Sequence, residues 1–232
     1  MNRPAFRSAL RSLVRPLTPA GRATREQLLR LTGLPSDLFP VAAAWTAATD
    51  FLLPVARELL ARAPDLVVDV GSGLSTAVCA RCVELNGRGR VVSLEHDAAF
   101  RIRTLGFLRE AGVQGRVEVV LAPLADTAVG GEVFRWYGSE ALAAIDAPIG
   151  AMLIDGPPGA TGALARYPAG PLLFPRMAAG GAVFVDDAGR ADERMVLARF
   201  AREFPEFSQS PMDTAKGAVI LRRRADAAGR AA

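Results

Sequence analysis

The sequence predicts an α/β fold: a doubly wound, mostly parallel, seven-stranded sheet that closes with an antiparallel hairpin and follows N-terminal helices. Three observations predict it. From Leu66 onward, short continuous apolar runs alternate with segments of helical spacing, the pattern of parallel strands covered on both faces. The last two strand-like runs, 206–211 and 217–222, lie too close together for a crossover, so they pair as a hairpin and one of them opposes the rest. A Gly-x-Gly turn, Gly71-Ser72-Gly73, stands between the first apolar run and the helix after it, where doubly wound sheets bind their ligands.

Taken in order, residues 4–17 place Phe6, Leu10, Leu13, Val14 and Leu17 at helical spacing. Arg3, Arg7, Arg11 and Arg15 lie between them, so this is a short basic amphipathic helix, closed by Pro16 and Pro19. Thr24-x-x-Gln27 reads as a capping box that opens a helix ended by Gly33 and Pro35. Another helix is expected from Asp50 to Ala63, with Pro54 in its first turn. Strands are expected at Leu66–Val70, Val91–Leu94, Val117–Leu121, Ala151–Ile154 and Ala182–Val185. Helices are expected at Ser75–Leu85, Ala98–Ala111, Pro171–Ala179 and Asp192–Glu203. The stretch from Pro123 to Ser139 reads as a loop long enough to be a lid. The organisation is therefore a basic helical arm over 1–44, one ligand-binding domain over 45–224 and a disordered tail over 225–232.

Composition narrows the function classes. Half of the 232 residues are hydrophobic and 22% are charged, which excludes a disordered chain. No apolar run reaches the ~18 residues of a membrane span. Two cysteines and no signal-peptide pattern point to a reducing, cytoplasmic setting. A single histidine, His96, excludes multi-histidine metal centres. The net charge of +4 divides unevenly: residues 1–30 carry +6, residues 222–232 carry +3, and −5 lies between. Nucleic acid, if bound at all, would meet the ends, and no clear nucleic-acid surface is predicted. For the N-terminal helix the plain reading is a packing or frayed terminus; membrane-surface contact, an organellar presequence and exchange within a homodimer stay open.

The chemistry starts at Val67-Val68-Asp69-Val70-Gly71-Ser72-Gly73-Leu74-Ser75-Thr76. Its glycines let backbone approach a ligand, and the helix that follows offers free N–H groups to the ligand's polar end. Glu95 closes the next strand 22 residues after Gly73, the distance at which a second-strand carboxylate meets ribose hydroxyls. Together the two signals call for a nucleoside ligand. A dinucleotide fingerprint would need a third glycine where Thr76 stands. A dinucleotide-dependent oxidoreductase and a non-catalytic module binding through the Arg-rich ends are the competing readings.

With these residues the chain resembles the class I S-adenosylmethionine-dependent methyltransferases, in their Rossmann-like fold. Asp69, Gly71, Gly73, Glu95 and the closing hairpin match that family's pattern. Gly71–Thr76, Ala122–Leu124, Trp136-Tyr137 and Ile154–Pro158 are similar to the Gly-Ser-Gly-x-Ser-Thr, Ala-Pro-Leu, Trp-Tyr and Ile-Asp-Gly-Pro-Pro motifs of a bacterial group within it. The resemblance implies that Gly71, Ser72, Gly73 and Ser75 surround the methionine part of S-adenosylmethionine, Glu95 the ribose, and Ala122, Pro123 and Leu124 the adenine. Asp69, His96 and Asp155 complete the expected cofactor set.

A third signal is acidic. Asp155 ends the fourth predicted strand, and Asp186 and Asp187 end the fifth. Parallel strands bring their carboxyl ends to one rim, where three carboxylates would repel unless a divalent cation such as Mg²⁺ relieved the cost or the acids capped turns and helices instead. The arrangement is similar to the catechol O-methyltransferase-like enzymes, whose ligands follow strands four and five. Those enzymes carry a catalytic lysine three residues after the first ligand; here that residue is Pro158, and the sole lysine is Lys216. Asp155, His96 and Tyr167 are therefore the candidate bases for O-methylation of a small or medium-sized metabolite. Cys79 and Cys82 have redox spacing but sit inside a helix, and read as buried apolar thiols. Trp136 and Tyr137 read either as ring-stacking groups or as lid contacts.

Overall fold

A computed structural model describes residues 18–39 and 48–225. The basic helix expected at 4–17 and most of the expected tail lie outside the described residues. Helix α1 (Pro19–Thr32) starts six residues earlier than Thr24 suggests: Thr18 caps it by accepting the Gly21 N–H at 3.1 Å, and Pro19 occupies its first position. The Thr24 hydroxyl instead donates back to the Ala20 carbonyl inside the helix. Gly33 ends α1 in the left-handed region, as expected. Helix α2 (Thr49–Arg62) matches its expected span to one residue, but Pro54 falls in its second turn and removes one ladder hydrogen bond there.

The alternating region follows as β1 (Leu66–Val70), α3 (Leu74–Leu85), β2 (Arg90–Glu95), α4 (Ala98–Ala111) and β3 (Val117–Leu121). After it come β4 (Leu124–Val129), β5 (Glu132–Tyr137), β6 (Ile149–Ile154), α5 (Ala169–Leu173), β7 (Met177–Asp186), α6 (Ala191–Glu203), β8 (Phe207–Met212) and β9 (Ala218–Arg223). Seven strands form one sheet in the order β3-β2-β1-β6-β7-β9-β8. Strands β3, β2, β1, β6 and β7 pair in parallel; β9 runs antiparallel to both β7 and β8. The reversed strand is therefore the last in sequence, inserted between β7 and β8.

Two expectations are corrected. The stretch 123–139 is not an open lid: β4 and β5 pair antiparallel from Leu124↔Tyr137 to Val129↔Glu132. Gly130 and Gly131, both at positive φ, form the two-residue turn between them. Trp136 and Tyr137 are consequently buried. The helix expected over Pro171–Ala179 is only α5 with a short 3-10 turn at Phe174–Arg176, because Pro175 supplies no N–H to extend it. Met177 already pairs with Ile149, so ladder hydrogen bonds override the helical preference of Ala178 and Ala179.

Strand alternation divides the interior into two cores. Val67, Val91, Leu153 and Phe184 face α1–α4; Leu66, Val68, Val70, Met152 and Val185 face α5, α6 and the β4–β5 hairpin. β1 lies between β2 and β6, whose connections leave in opposite directions. The crevice beyond the carboxyl end of β1 is the topological switch point of the sheet.

Candidate active site

The turn after β1 is built for close backbone approach. Gly71 has φ 105°, and a Cβ there would meet the Gly156 nitrogen at 2.9 Å, so the turns after β1 and β6 touch main chain to main chain. Gly73 has φ 141° and open space where a side chain would stand, directly before α3. Beneath the turn, fully buried Asp69 accepts from the Ser75 and Thr76 hydroxyls at 2.9 and 2.7 Å. Thr76 also accepts the Gly73 N–H at 3.1 Å. The place of a third fingerprint glycine is thus taken by a buried side chain that ties the turn together.

A cavity of about 370 Å³ opens beside this turn. Gly71, Ser72, Glu95, His96 and Asp155 line it, with Tyr137, Phe100, Arg166, Asp187 and Lys216 among the other walls. Ser72 donates to Glu95 at 2.6 Å, and the other Glu95 oxygen takes the Asp97 N–H at 2.9 Å, so the ribose candidate is held rigidly. His96 Nδ1 lies 3.1 Å from that same oxygen. Asp69 and Ser75 sit under the turn and do not line the cavity; they brace the backbone that does. Ala122 is buried and donates to the Glu95 carbonyl at 2.7 Å, while Pro123 is exposed and Leu124 begins β4, all three outside the cavity wall.

The acidic end differs from its sequence reading. Asp155, Asp186 and Asp187 do converge, with candidate ligand oxygens within 4.8 Å of one another. Arg166 already stands among them: its Nη2 lies 3.2 Å from Asp155 Oδ1 and 3.1 Å from Asp187 Oδ2, and its Nη1 donates to the Asp186 carbonyl at 3.0 Å. Asp187 also meets Arg190 at 2.9 Å and Lys216 at 3.8 Å. One Asp186 oxygen takes the Asp187 N–H; the other has no partner. Withdrawal from water pushes the Asp155 carboxyl up to about 7, with Arg166 opposing and the two neighbouring acids adding. Withdrawal from water also raises Asp186. This donor set does not fit a divalent cation as it stands, because a buried guanidinium already holds one oxygen each of Asp155 and Asp187 and supplies the positive charge between them.

Tyr167 is corrected as a base candidate. It is buried in the second core, donates to Glu203 at 2.6 Å and lies under the Arg199 guanidinium at 3.6 Å, away from the cavity. Its neighbour Arg166 is the residue that enters the site, and no local motif marks it. Lys216, the sole lysine, lines the cavity although it lies far along the chain from Asp155: a hairpin on the β7 edge must turn near the carboxyl end of β7. Asp186 pairs with Ala218, and the Lys216 carbonyl accepts the Gly189 N–H at 3.0 Å. Cys79 and Cys82 are buried thiols; burial pushes Cys82 up to about 12 and Cys79 higher than its usual range. They are not a redox pair in reach of solvent.

A glycine turn at the switch point, a rigid carboxylate one strand away and a cavity between them define the candidate site of a Rossmann-like fold. The profile of a family described as a methyltransferase domain matches residues 68–188, just over half of the chain, and the chain belongs to that family. No curated protein sequence matches. Solved structures share the fold. Cofactor-bound Rv0187 from MTB is 21% identical over 97% of this chain and 99% of its own, with a TM-score of 0.56. An O-methyltransferase from Bacillus cereus in complex with SAH is 15% identical over 95% and 97%, with a TM-score of 0.58. The O-methyltransferase TomG from Streptomyces achromogenes, involved in tomaymycin synthesis and solved with SAM, is 18% identical over 95% of each chain, with a TM-score of 0.58.

Proposed function

We propose that this methyltransferase uses S-adenosylmethionine to methylate a hydroxyl of a small or medium-sized metabolite. The observation that carries the reading is the cavity between the Gly71–Gly73 turn and Glu95, whose wall brings Ser72, Glu95, His96 and Asp155 together as polar groups for a ligand. Gly71, Ser72 and Gly73 would hold the methionine part at the start of α3, and Glu95, with His96 beside it, would take the ribose hydroxyls. The solved complexes with SAM and SAH in the same fold support the cofactor, and the O-methyltransferases among them support the oxygen acceptor.

When bound, the cofactor supplies a methyl group on a sulfonium, which needs only a well-placed nucleophile in line. The chain's contribution is then chiefly positioning. Asp155 lies at the cavity wall with a carboxyl that titrates near neutrality, so it can take up an acceptor proton or orient the acceptor hydroxyl. His96 sits beside Glu95, whereas Asp187 follows a strand three places away in the sheet, a separation of roughly 14 Å at normal strand spacing. On this reading His96 would serve the cofactor end, and Asp155, joined to Asp187 through Arg166, the acceptor end.

Isothermal titration decides the cofactor. S-adenosylmethionine and S-adenosylhomocysteine are expected to bind and NAD(H) is not; the reverse result overturns the reading. Gly73→Val is expected to abolish that binding, because its side chain would fill the space left open for the ligand. It should cost about 1–3 kcal/mol of stability for the unfavourable φ while retaining the fold by circular dichroism.

A further inference from the structure

We propose that the Arg166 guanidinium stands permanently in the place a divalent cation would take between Asp155 and Asp187, so that the acceptor end of this site works with an arginine instead of a metal. The inference rests on the methyltransferase reading only for naming that end of the cavity; the electrostatics stand by themselves. Arg166 is 4% exposed, and its Nη2 bridges Asp155 Oδ1 and Asp187 Oδ2. Its Nη1 is fixed by the Asp186 main chain, and its Nε lies 3.6 Å from Glu193. Four carboxylates (Asp155, Asp186, Asp187 and Glu193) therefore face three cations (Arg166, Arg190 and Lys216), which leaves little negative charge for a further cation to neutralise. A guanidinium stays charged at every accessible pH, so it cannot yield by losing a proton.

Geometry opposes a metal as well. A hard cation draws carboxylate oxygens to roughly 2.0–2.6 Å and needs about six of them or their water equivalents. Here one oxygen of Asp155 and one of Asp187 are already on Arg166, and the other Asp187 oxygen faces Lys216 at 3.8 Å, so two of the three acids reach an incoming cation only in competition with fixed positive charge. Asp187 is held at φ 60°, in the left-handed region, and its carboxylate meets Arg166, Arg190 and Lys216 from this unusual backbone position. Because Arg166 lines the cavity, it presents a fixed positive charge toward the acceptor. It acts as a positioning residue whose charge needs no ion from solution.

The test is a Mn²⁺ titration of the full chain followed by paramagnetic resonance, with and without S-adenosylmethionine. The wild type should show no saturable site below about 1 mM, whereas Arg166→Met, which removes the charge and keeps the volume, should bind one ion roughly tenfold tighter or better. Asp187→Asn in the Arg166→Met background should remove that gain, a response that a purely structural arginine would not produce. A wild-type site lost in Asp155→Asn and Asp187→Asn overturns the proposal. So does a folded Arg166→Met that gains no site. If Arg166→Met does not fold, the wild-type titration alone decides. Failure of S-adenosylmethionine to bind would overturn the cofactor reading and leave the Mn²⁺ result intact.

Discussion

Asp69 shows how one buried carboxylate links the glycine turn to pH. One of its oxygens holds Ser75 and Thr76, the other has no partner, and burial raises its pKa from 3.8 to about 7 against the pull of the two hydroxyls. A carboxyl whose folded pKa lies above its unfolded value binds its proton more tightly when folded. Its contribution to stability is full below the unfolded value and is lost as pH rises through about 7. Asp69→Asn keeps an oxygen for both hydroxyls and carries no charge. Relative to wild type, the variant is expected to gain stability between about pH 5 and about pH 8, by at most about 4 kcal/mol. Urea unfolding at the two pH values measures the gain; a difference that does not change with pH would show that Asp69 carries no such charge.

Among the elements, the β4–β5 hairpin does the work of a wall. Its inner face buries Phe134 and Trp136, and Tyr137 continues it into the cavity. Tyr167 braces it from below, with its ring 5.3 Å from that of Phe134 and its hydroxyl on Glu203. Arg199 lies over the same ring and pairs with Glu132 on β5, so α6 and the hairpin are clamped through one tyrosine. Tyr167→Phe is therefore expected to lower stability by about 1 kcal/mol and to leave S-adenosylmethionine affinity unchanged. A large loss of affinity in a fully folded variant would return Tyr167 to the site.

At the scale of the whole molecule, the N-terminal helices and the C-terminal hairpin are joined across most of the chain. Arg222 on β9 makes a two-point contact with Glu58 on α2, and the Ala215 N–H donates to Asp50 at 2.7 Å, beside the turn that carries Lys216. The Arg222 hydrogen bond is the main reason the Glu58 carboxyl lies below its usual 4.5, with burial opposing. A lowered carboxylate contributes stability that is present above its unfolded pKa and lost as pH falls through the folded one. Arg222→Met should cost about 1 kcal/mol near neutral pH, and the difference should shrink as the pH falls beneath the ordinary 4.5 of Glu58 and through its lowered folded value. Thermal melts across that range read it directly; a cost that persists in acid would mean that packing, not charge, joins the two ends. Among the described residues no helix is long and apolar enough to cross a membrane.

The amino-acid sequence by itself determined what local rules govern. Apolar runs of strand length specified β1 and β3 to the residue, and helical spacing placed α3, α4 and α6 to within one residue, because continuous burial and helical spacing act within a few turns of chain. The glycine turn and Glu95 were legible for the same reason, each being tied to the end of a strand. The β4–β5 hairpin was written there too, in Gly130-Gly131 between alternating residues, but was outweighed by the length of the stretch. The tertiary structure decided the rest. Tyr167 and Arg166 are neighbours in sequence, and only packing sends one into the core and the other into the acidic cluster. Lys216 reaches the cavity because β9 lies beside β7. Three acids at strand ends suggest a metal until the charge that neutralises them is seen. That charge arrives from a segment eleven residues beyond Asp155, and its position depends on long-range burial that no local pattern encodes.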